Sequence, residues 1–342
     1  MDQRQQHITD DAPGAPRYEP RDAGRRRVHR TGAWAAALLL AGVSAVVVFR
    51  AADRDGPTPV PQLLAFLPWL IAPTAAALLL ALLSRWRTGM VWGVVVLGAL
   101  AWYIEPYGPS GTVGGSDGVP VSGVRVLASN VQFSRGTNAL IDTVARHRPD
   151  IVFVAECGRP CRDALDRESL RARYPHRQAV AADGSEGSMI LSRFPLKAAP
   201  TVAGAMGMPA ATADVRGHAV RLQLAHPMPP LPDQVGVWRT ELGRLADAAR
   251  AGEGPAIVAG DFNATQDHAA FRHILDAGAL HDAARLTGHS RTPSWPSTAP
   301  GPLGTQIDHV LVTDDFSADE AHFIELADTD HRALLVDLTL HG

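Results

Sequence analysis

Several apolar runs in this chain end in a side chain that can hold a cation or move a proton. Asn130 closes VRVLASN, Glu156 closes DIVFVAE and His226 closes RLQLAH. Asp261 and Asn263 follow PAIVAG, Asp308 lies in TQIDHVLV, and Asp330 with His331 precedes RALLVDL. Strand ends in layered sheets open onto one edge, so groups in these places can converge on one pocket. Carboxylate and amide oxygens make a hard donor set, suited to Mg²⁺ or Ca²⁺ and poorly suited to soft metals. The imidazoles add general acid–base capacity. Together these are the groups that phosphate-ester hydrolysis requires, a cation for the phosphoryl oxygens and a base for the attacking water. The chain has no thiolate cluster, HExxH helix, P-loop or GxSxG elbow, so those chemistries lack support.

Singly, each residue has an ordinary reading. Asn130 suits the turn after a strand, GDFN an Asp/Asn turn, and Asp308 a pairing with an Arg. Glu156, at the end of a very apolar strand, is harder to dismiss, because an unpaired buried carboxylate is costly. Adjacent strand residues face opposite ways, so with Asp308 toward a site, His309 faces away and packs. Ser188 and Ser192 read as strand-edge polar groups. Trp295, in TPSWP, reads either as packing or as a stacking surface for substrate.

The elements that must position these groups are short. Residues 124–131, 150–156, 187–193, 219–226, 255–262, 306–313 and 333–340 read as strands, 150–156 being buried on both faces. Residues 138–147 read as a helix with Leu140, Ile141 and Val144 on one face. Asp233 is placed to cap a second helix that runs to about Ala251, with Trp238, Leu242 and Leu245 in register. Strands with interspersed helices predict sheet layers covered by helices, an α/β class. Residues 121–342 carry 21 basic and 26 acidic residues, a balance of −5 that gives no general attraction to a nucleic-acid backbone. A local patch of Arg167, Arg171, Arg173 and Arg177 is the exception to test.

The first third differs in character. Residues 1–30 are polar and Arg-rich and read as a disordered cytoplasmic tail. Uncharged runs at 33–49, 63–83 and 90–104 lie within a region, 31–104, that reads as about three transmembrane helices, the third shortest. Buried core helices would need a polar face that these runs lack, and a signal peptide would not be followed at once by a second apolar run. Arg residues before the first run, with Arg85 and Arg87 after the second, place those segments inside and everything after Ile104 outside. Residues 105–120, rich in Gly, Pro and Ser, read as a linker to one domain over 121–342. Two cysteines in 342 residues exclude a disulfide scaffold. In an extracytoplasmic domain, Cys157 and Cys161 are placed to pair, pinning the loop after Glu156.

In order, SNVQ, PDIVFVAE, GSMILSRFPL, the strand ending in His226, GDFNAT, QIDHVLV and TDHRALLVDL resemble the endonuclease/exonuclease/phosphatase superfamily, the DNase I-like fold. The resemblance spans essentially all of 121–342. It implies a four-layered α/β sandwich, two packed mixed β-sheets flanked by helices. It further implies that Glu156, Asn130 and Asp330 form the metal site, for Mg²⁺ with Mn²⁺ or Ca²⁺ as substitutes. By the same resemblance, His331 is the catalytic imidazole oriented by Asp308. Asp261 and Asn263 position water and phosphate, and His226 contacts phosphate and the leaving group. The expectation is a multi-pass membrane phosphodiesterase or nuclease with an extracytoplasmic catalytic domain and no obligate protein partner. Its substrate would be a nucleic acid, lipid or inositol phosphate. A phospholipid or sphingomyelin phosphodiesterase is the second reading, and a non-catalytic membrane sensor or scaffold the third.

Overall fold

The computed structural model describes residues 21–105, 118–300 and 303–342. The expected tail over 1–20 and most of the expected linker, 106–117, lie outside the described residues. Residues 21–30, expected within the tail, are instead helical and open a long helix, α1 (Arg21–Ala51). There follow α2 (Val60–Ala65), a 3₁₀ turn at Leu67–Leu70, α3 (Ile71–Leu83) and α4 (Arg87–Ile104).

Two of these helices, not three, are long and apolar enough to cross a membrane: His29–Ala51 and Arg87–Ile104. The middle run falls short: its apolar helical stretch is Leu67–Leu83, opened by a 3₁₀ turn that contains Pro68. Its longest piece, α3, has 13 residues, about 20 Å at 1.5 Å per residue, against a hydrocarbon core of about 30 Å. α3 packs beside α1 and α4, with Gly32 against Ser84 at one end of the bundle.

The remaining described residues form twelve strands and six α-helices. The strands are β1 (Pro120–Asn130), β2 (Ile151–Ala155), β3 (His176–Val180), β4 (Ser188–Ser192), β5 (Leu196–Val202) and β6 (Met208–Val215). After them come β7 (His218–Ala225), β8 (Ala256–Asp261), β9 (His281–Asp282), β10 (Asp308–Val312), β11 (Phe316–Glu325) and β12 (Arg332–His341). The helices are α5 (Thr137–His147), α6 (Arg159–Leu165), α7 (Glu168–Arg173), α8 (Val235–Ala251), α9 (Ala269–Gly278) and α10 (Ala283–Leu286). α8 starts later than expected. Gln234, not Asp233, precedes it, because a turn closed by the Gln234 amide on the Leu231 carbonyl occupies that stretch.

Six strands form each of two mixed sheets, in the orders β11-β12-β1-β2-β4-β3 and β5-β6-β7-β8-β10-β9. The inner core between them buries residues such as Val126, Phe153, Leu222, Ile257 and Leu334. Outer layers complete the α/β sandwich. Leu140 and Val144 of α5 pack on the first sheet, and Trp238, Leu242 and Leu245 of α8 on the second. Each sheet holds one parallel pair, β1–β2 and β7–β8, among antiparallel neighbours. The C-terminal ends of those pairs carry the polar residues.

Candidate active site

In the first sheet, Asn130 pairs with Ala155, so Asn130 and Glu156, the residue after β2, emerge at the same edge. There Glu156 adopts a left-handed backbone, φ 56°, as do Gln132, Phe133 and Ser134 in the facing turn. Such conformations are uncommon outside glycine, cost about 1–3 kcal/mol and gather at functional sites. Each turn holds the other: the Phe133 amide donates to Glu156 Oε2 at 2.8 Å and the Ser134 amide to the Glu156 carbonyl at 3.0 Å. The Cys157–Cys161 disulfide forms as expected and closes the next four residues.

The second sheet repeats the plan with different groups. Ala225 pairs with Gly260. A Cβ at Gly260 would lie 2.2 Å from the Ala225 carbonyl oxygen, and its φ is 143°. Only glycine permits this approach, which sets Asp261 beside His226. Directly across the antiparallel ladder from Asp261 stands Asp308. Facing like charges weaken a ladder, and His331 relieves them. Its Nδ1 is 2.9 Å from Asp308 Oδ2, and its Nε2 lies 3.7 Å from Asp261 Oδ2 and 3.9 Å from Asp330 Oδ1.

Asn130 links the two sheets. Its amide nitrogen donates to Glu156 Oε1 at 3.1 Å and to Asp261 Oδ2 at 3.0 Å, while its Oδ1 accepts the Gln132 amide at 2.9 Å. His226 Nε2 is 3.8 Å from Glu156 Oε1. Asn263, also left-handed at φ 47°, donates its backbone amide to Asp261 Oδ1 and its side-chain amide to the Pro227 carbonyl. All eight residues singled out in the sequence therefore meet. Six line a cleft of about 540 Å³, with Asn130 and Asp308 behind them. A second cavity of about 720 Å³, beside the 53–57 loop, holds none of them.

Sequence reasoning missed the supports. Ser294 Oγ accepts the amides of Ile307 and Asp308, fixing the start of β10. Thr329 Oγ1 donates to the Asn130 carbonyl and so ties down the loop bearing Asp330 and His331. Trp295 lines the cleft and donates its indole N–H to Asp330 Oδ2 at 3.0 Å, a polar contact that neither packing nor stacking anticipated. His309 packs in the core as strand alternation requires, its Nδ1 2.7 Å from Asp282 and its ring 4.3 Å from that of Phe271. The arginine patch is elsewhere: Arg171 and Arg177 bond Asp166, and none of the four lines the cleft.

The electrostatics follow from burial. Burial alone would lower the pKa of His331, but Asp308 and Asp261 more than reverse this and raise it to about 10. Burial keeps His226 below the usual imidazole range. Burial also pushes Asp261 up, with His331 opposing and Asp308 adding to the rise. Asp261, Asp308 and His331 offer ligand atoms within 4.8 Å of one another, a set that shares no residue with the expected ligands Glu156, Asn130 and Asp330. Among the described residues lining the cleft there is no Lys or Arg, and Asp308 Oδ1 is buried without a hydrogen-bond partner. Buried carboxylates lacking a countercharge are costly. An oxygen-rich set of this kind fits a hard divalent cation.

Comparison with known proteins agrees with this geometry. The model of the Endonuclease/Exonuclease/phosphatase family matches residues 127–331, more than half of the chain. No curated protein matches. Among solved structures, a humanized D. rerio TDP2 aligns with a TM-score of 0.52 at 16% identity, covering 64% of this chain and 99% of its own. D. rerio TDP2 complexed with a single-strand DNA product gives 0.51 at 16% identity, with the same coverage. An endonuclease/exonuclease/phosphatase from Bacteroides vulgatus gives 0.50 at 16% identity, covering 65% of this chain and 100% of its own. At such identities these likenesses show the fold.

Proposed function

The chain belongs to the endonuclease/exonuclease/phosphatase family, and from that premise we propose that it is a membrane-anchored, Mg²⁺-dependent phosphoester hydrolase. The observation that carries the reading is the convergence of Glu156, Asp261, Asp308 and Asp330 around His331 and His226 with no Lys or Arg among the described cleft-lining residues. Glu156, Asn130 and Asp330 would hold the cation, which when bound neutralises phosphoryl and leaving-oxygen charge. Mn²⁺ or Ca²⁺ would fit the same hard donors.

The chain's own residues do the rest. Asp308 fixes the His331 ring through Nδ1, leaving Nε2 facing Asp261 and the cleft. Asp261, bonded by the Asn263 and Asn130 amides, orients the attacking water and takes its proton, while His331, held protonated by Asp308 and Asp261, places positive charge beside it. Asn263 and His226 lie where they can contact the phosphate. The neutral-leaning His226 suits a group that must share a buried pocket with His331.

Membrane anchoring rests on separate observations. Only 22% of each of the two long apolar stretches is buried within the protein, and Leu38, Val94 and Trp102 are exposed. A soluble core helix buries such residues. α1 and α4 both end at the catalytic domain, where Arg291 binds Asp267 and the carbonyls of Tyr103 and Ile104. Arg85 and Arg87 lie at the opposite end, so the chain returns between the two helices through the shorter apolar stretch Leu67–Leu83, and the positive-inside rule places the catalytic domain outside the cytoplasm. The Cys157–Cys161 disulfide suits that compartment.

The test is hydrolysis of bis-p-nitrophenyl phosphate by the full chain with Mg²⁺, abolished by chelation and by His331→Ala. Absence of turnover with any divalent ion would favour the sensor or scaffold reading.

A further inference from the structure

The cleft has two unlike sides. Its lining joins a carboxylate and imidazole cluster, its floor, to a set of apolar side chains, its wall: Phe66, Phe133, Met206, Met228 and Leu231. Phe133 is 58% exposed and Leu231 50% exposed, so this wall presents bare apolar surface at the rim. Phe66 does not come from the catalytic domain. It follows α2, in the segment joining the two long apolar helices.

That segment is fixed in place. Gln62 Nε2 donates to the Pro230 carbonyl at 2.5 Å, Thr305 Oγ1 donates to the Ala65 carbonyl at 2.6 Å, and His268 Nε2 lies 2.8 Å from the Pro61 carbonyl. Deeper contacts lock the same junction. Arg50, near the end of α1, reaches Asp267 at 3.4 Å, and the Asp55 carboxylate accepts the first two amides of α9, those of Ala269 and Ala270. Part of the cleft lining is therefore supplied by the helical region, whose α1 and α4 end on the same domain.

Charge narrows what can enter. A nucleic-acid strand brings a phosphate per nucleotide, and proteins that hold one line the path with Lys or Arg. The described cleft-lining residues include neither, while Glu186 adds a further negative charge at the rim. Aromatic rings alone suit both bases and hydrocarbon; the missing cations separate the two. An isolated phosphate flanked by apolar chains matches a charged floor under an apolar wall. Gln62 Oε1 and His226 Nδ1, both on cleft residues, are buried without hydrogen-bond partners among the described residues and offer points for the polar part of such a molecule.

We propose that this cleft binds the phosphodiester of a membrane lipid, with its phosphate on the Glu156–Asp261–His331 floor and its apolar chains against Phe66 and Leu231. The inference rests on the hydrolase reading and names its substrate class. In the reaction the water oxygen bonds to phosphorus, one phosphorus–oxygen ester bond breaks, and a proton of the water passes to the departing alkoxide. Diester plus water gives a phosphomonoester plus an alcohol.

The experiment uses the full chain in detergent micelles with Mg²⁺. It compares long-chain and short-chain phosphatidylcholine and sphingomyelin, bis-p-nitrophenyl phosphate and a single-stranded oligodeoxynucleotide. The expected result is a kcat/KM for long-chain lipid at least about tenfold above that for its short-chain analogue, since each buried CH₂ contributes about fourfold. Phe66→Ser and Leu231→Ser should each erase most of that chain-length preference. The half-exposed Leu231 position keeps the test valid should the Phe66 variant fold poorly. Equal rates on long and short chains, or a higher kcat/KM for the oligonucleotide, would overturn the lipid assignment and leave the hydrolase reading standing. No turnover of any ester, bis-p-nitrophenyl phosphate included, would overturn both.

Discussion

The floor and the wall of the cleft are built on opposite principles. Every floor residue sits at or just beyond a strand end, and two parallel pairs, β1–β2 and β7–β8, deliver four of them to one edge. The wall is assembled from places with no common pattern: a turn after β1, a loop after β7, and Phe66 from a helical segment before β1. Floor geometry follows from sheet register, which a one-residue slip would destroy. Wall geometry follows from docking, held by side-chain bonds such as those of Gln62 and Thr305. On the proposed reading, reaction chemistry and substrate choice would be carried by parts of the chain that can change independently.

Substitutions on the floor should act on all substrates alike. Asp308→Asn removes the charge that orients His331, and a loss of about 10²–10⁴-fold in kcat is expected, the same for every ester turned over. A substrate-dependent loss would place Asp308 in recognition instead. Glu156→Gln should raise the Mg²⁺ concentration for half-maximal activity by roughly 10–100-fold with little change at saturating metal. An unmoved metal titration would remove Glu156 from the cation site.

Breaking the junction should act on the wall. Asp267 is fully buried between Arg50 and Arg291, whose side chains are 5% and 16% exposed. Asp267→Ala removes the buried carboxylate that both arginines share, and a loss of about 3–5 kcal/mol is expected, read as a lowered thermal midpoint of the detergent-solubilised chain. An unchanged midpoint would mean that the helical region and the sandwich are energetically separate. The smallest expected effect lies away from both. Tyr174 is buried and donates its hydroxyl to the Pro149 carbonyl, and burial raises its pKa to about 12. The folded state then binds this proton more tightly than the unfolded chain, so the contribution is whole below about pH 10 and is lost between 10 and 12. Tyr174→Phe should flatten stability in that window and leave activity alone, as pH-dependent denaturation of the two proteins would reveal.

Legibility in the sequence divides along the same line. Asn130, Glu156, His226, Asp261 and Asp308 were readable because apolar runs ended on them, and continuous burial of β2 and β8 made those runs conspicuous. β3 and β5, in which no residue is fully buried, gave no such signal and were missed. Ser294 and Thr329 act through backbone groups far along the chain, a relation that local pattern does not encode. The middle apolar run was read as a full span because composition counts residues, whereas its apolar helix begins only at Leu67, in the turn that holds Pro68. Nothing around Phe66 announces its destination, since that depends on how the long helices meet the sandwich.

The shared terminus of α1 and α4 at Asp267 and Arg291 bears on kinetics. With both helices in a bilayer, a domain clamped at two points cannot swing out to sample bulk solvent. Encounter becomes a lateral search, and turnover would track how many substrate molecules occupy each patch of membrane around the mouth, not how many are dissolved above it.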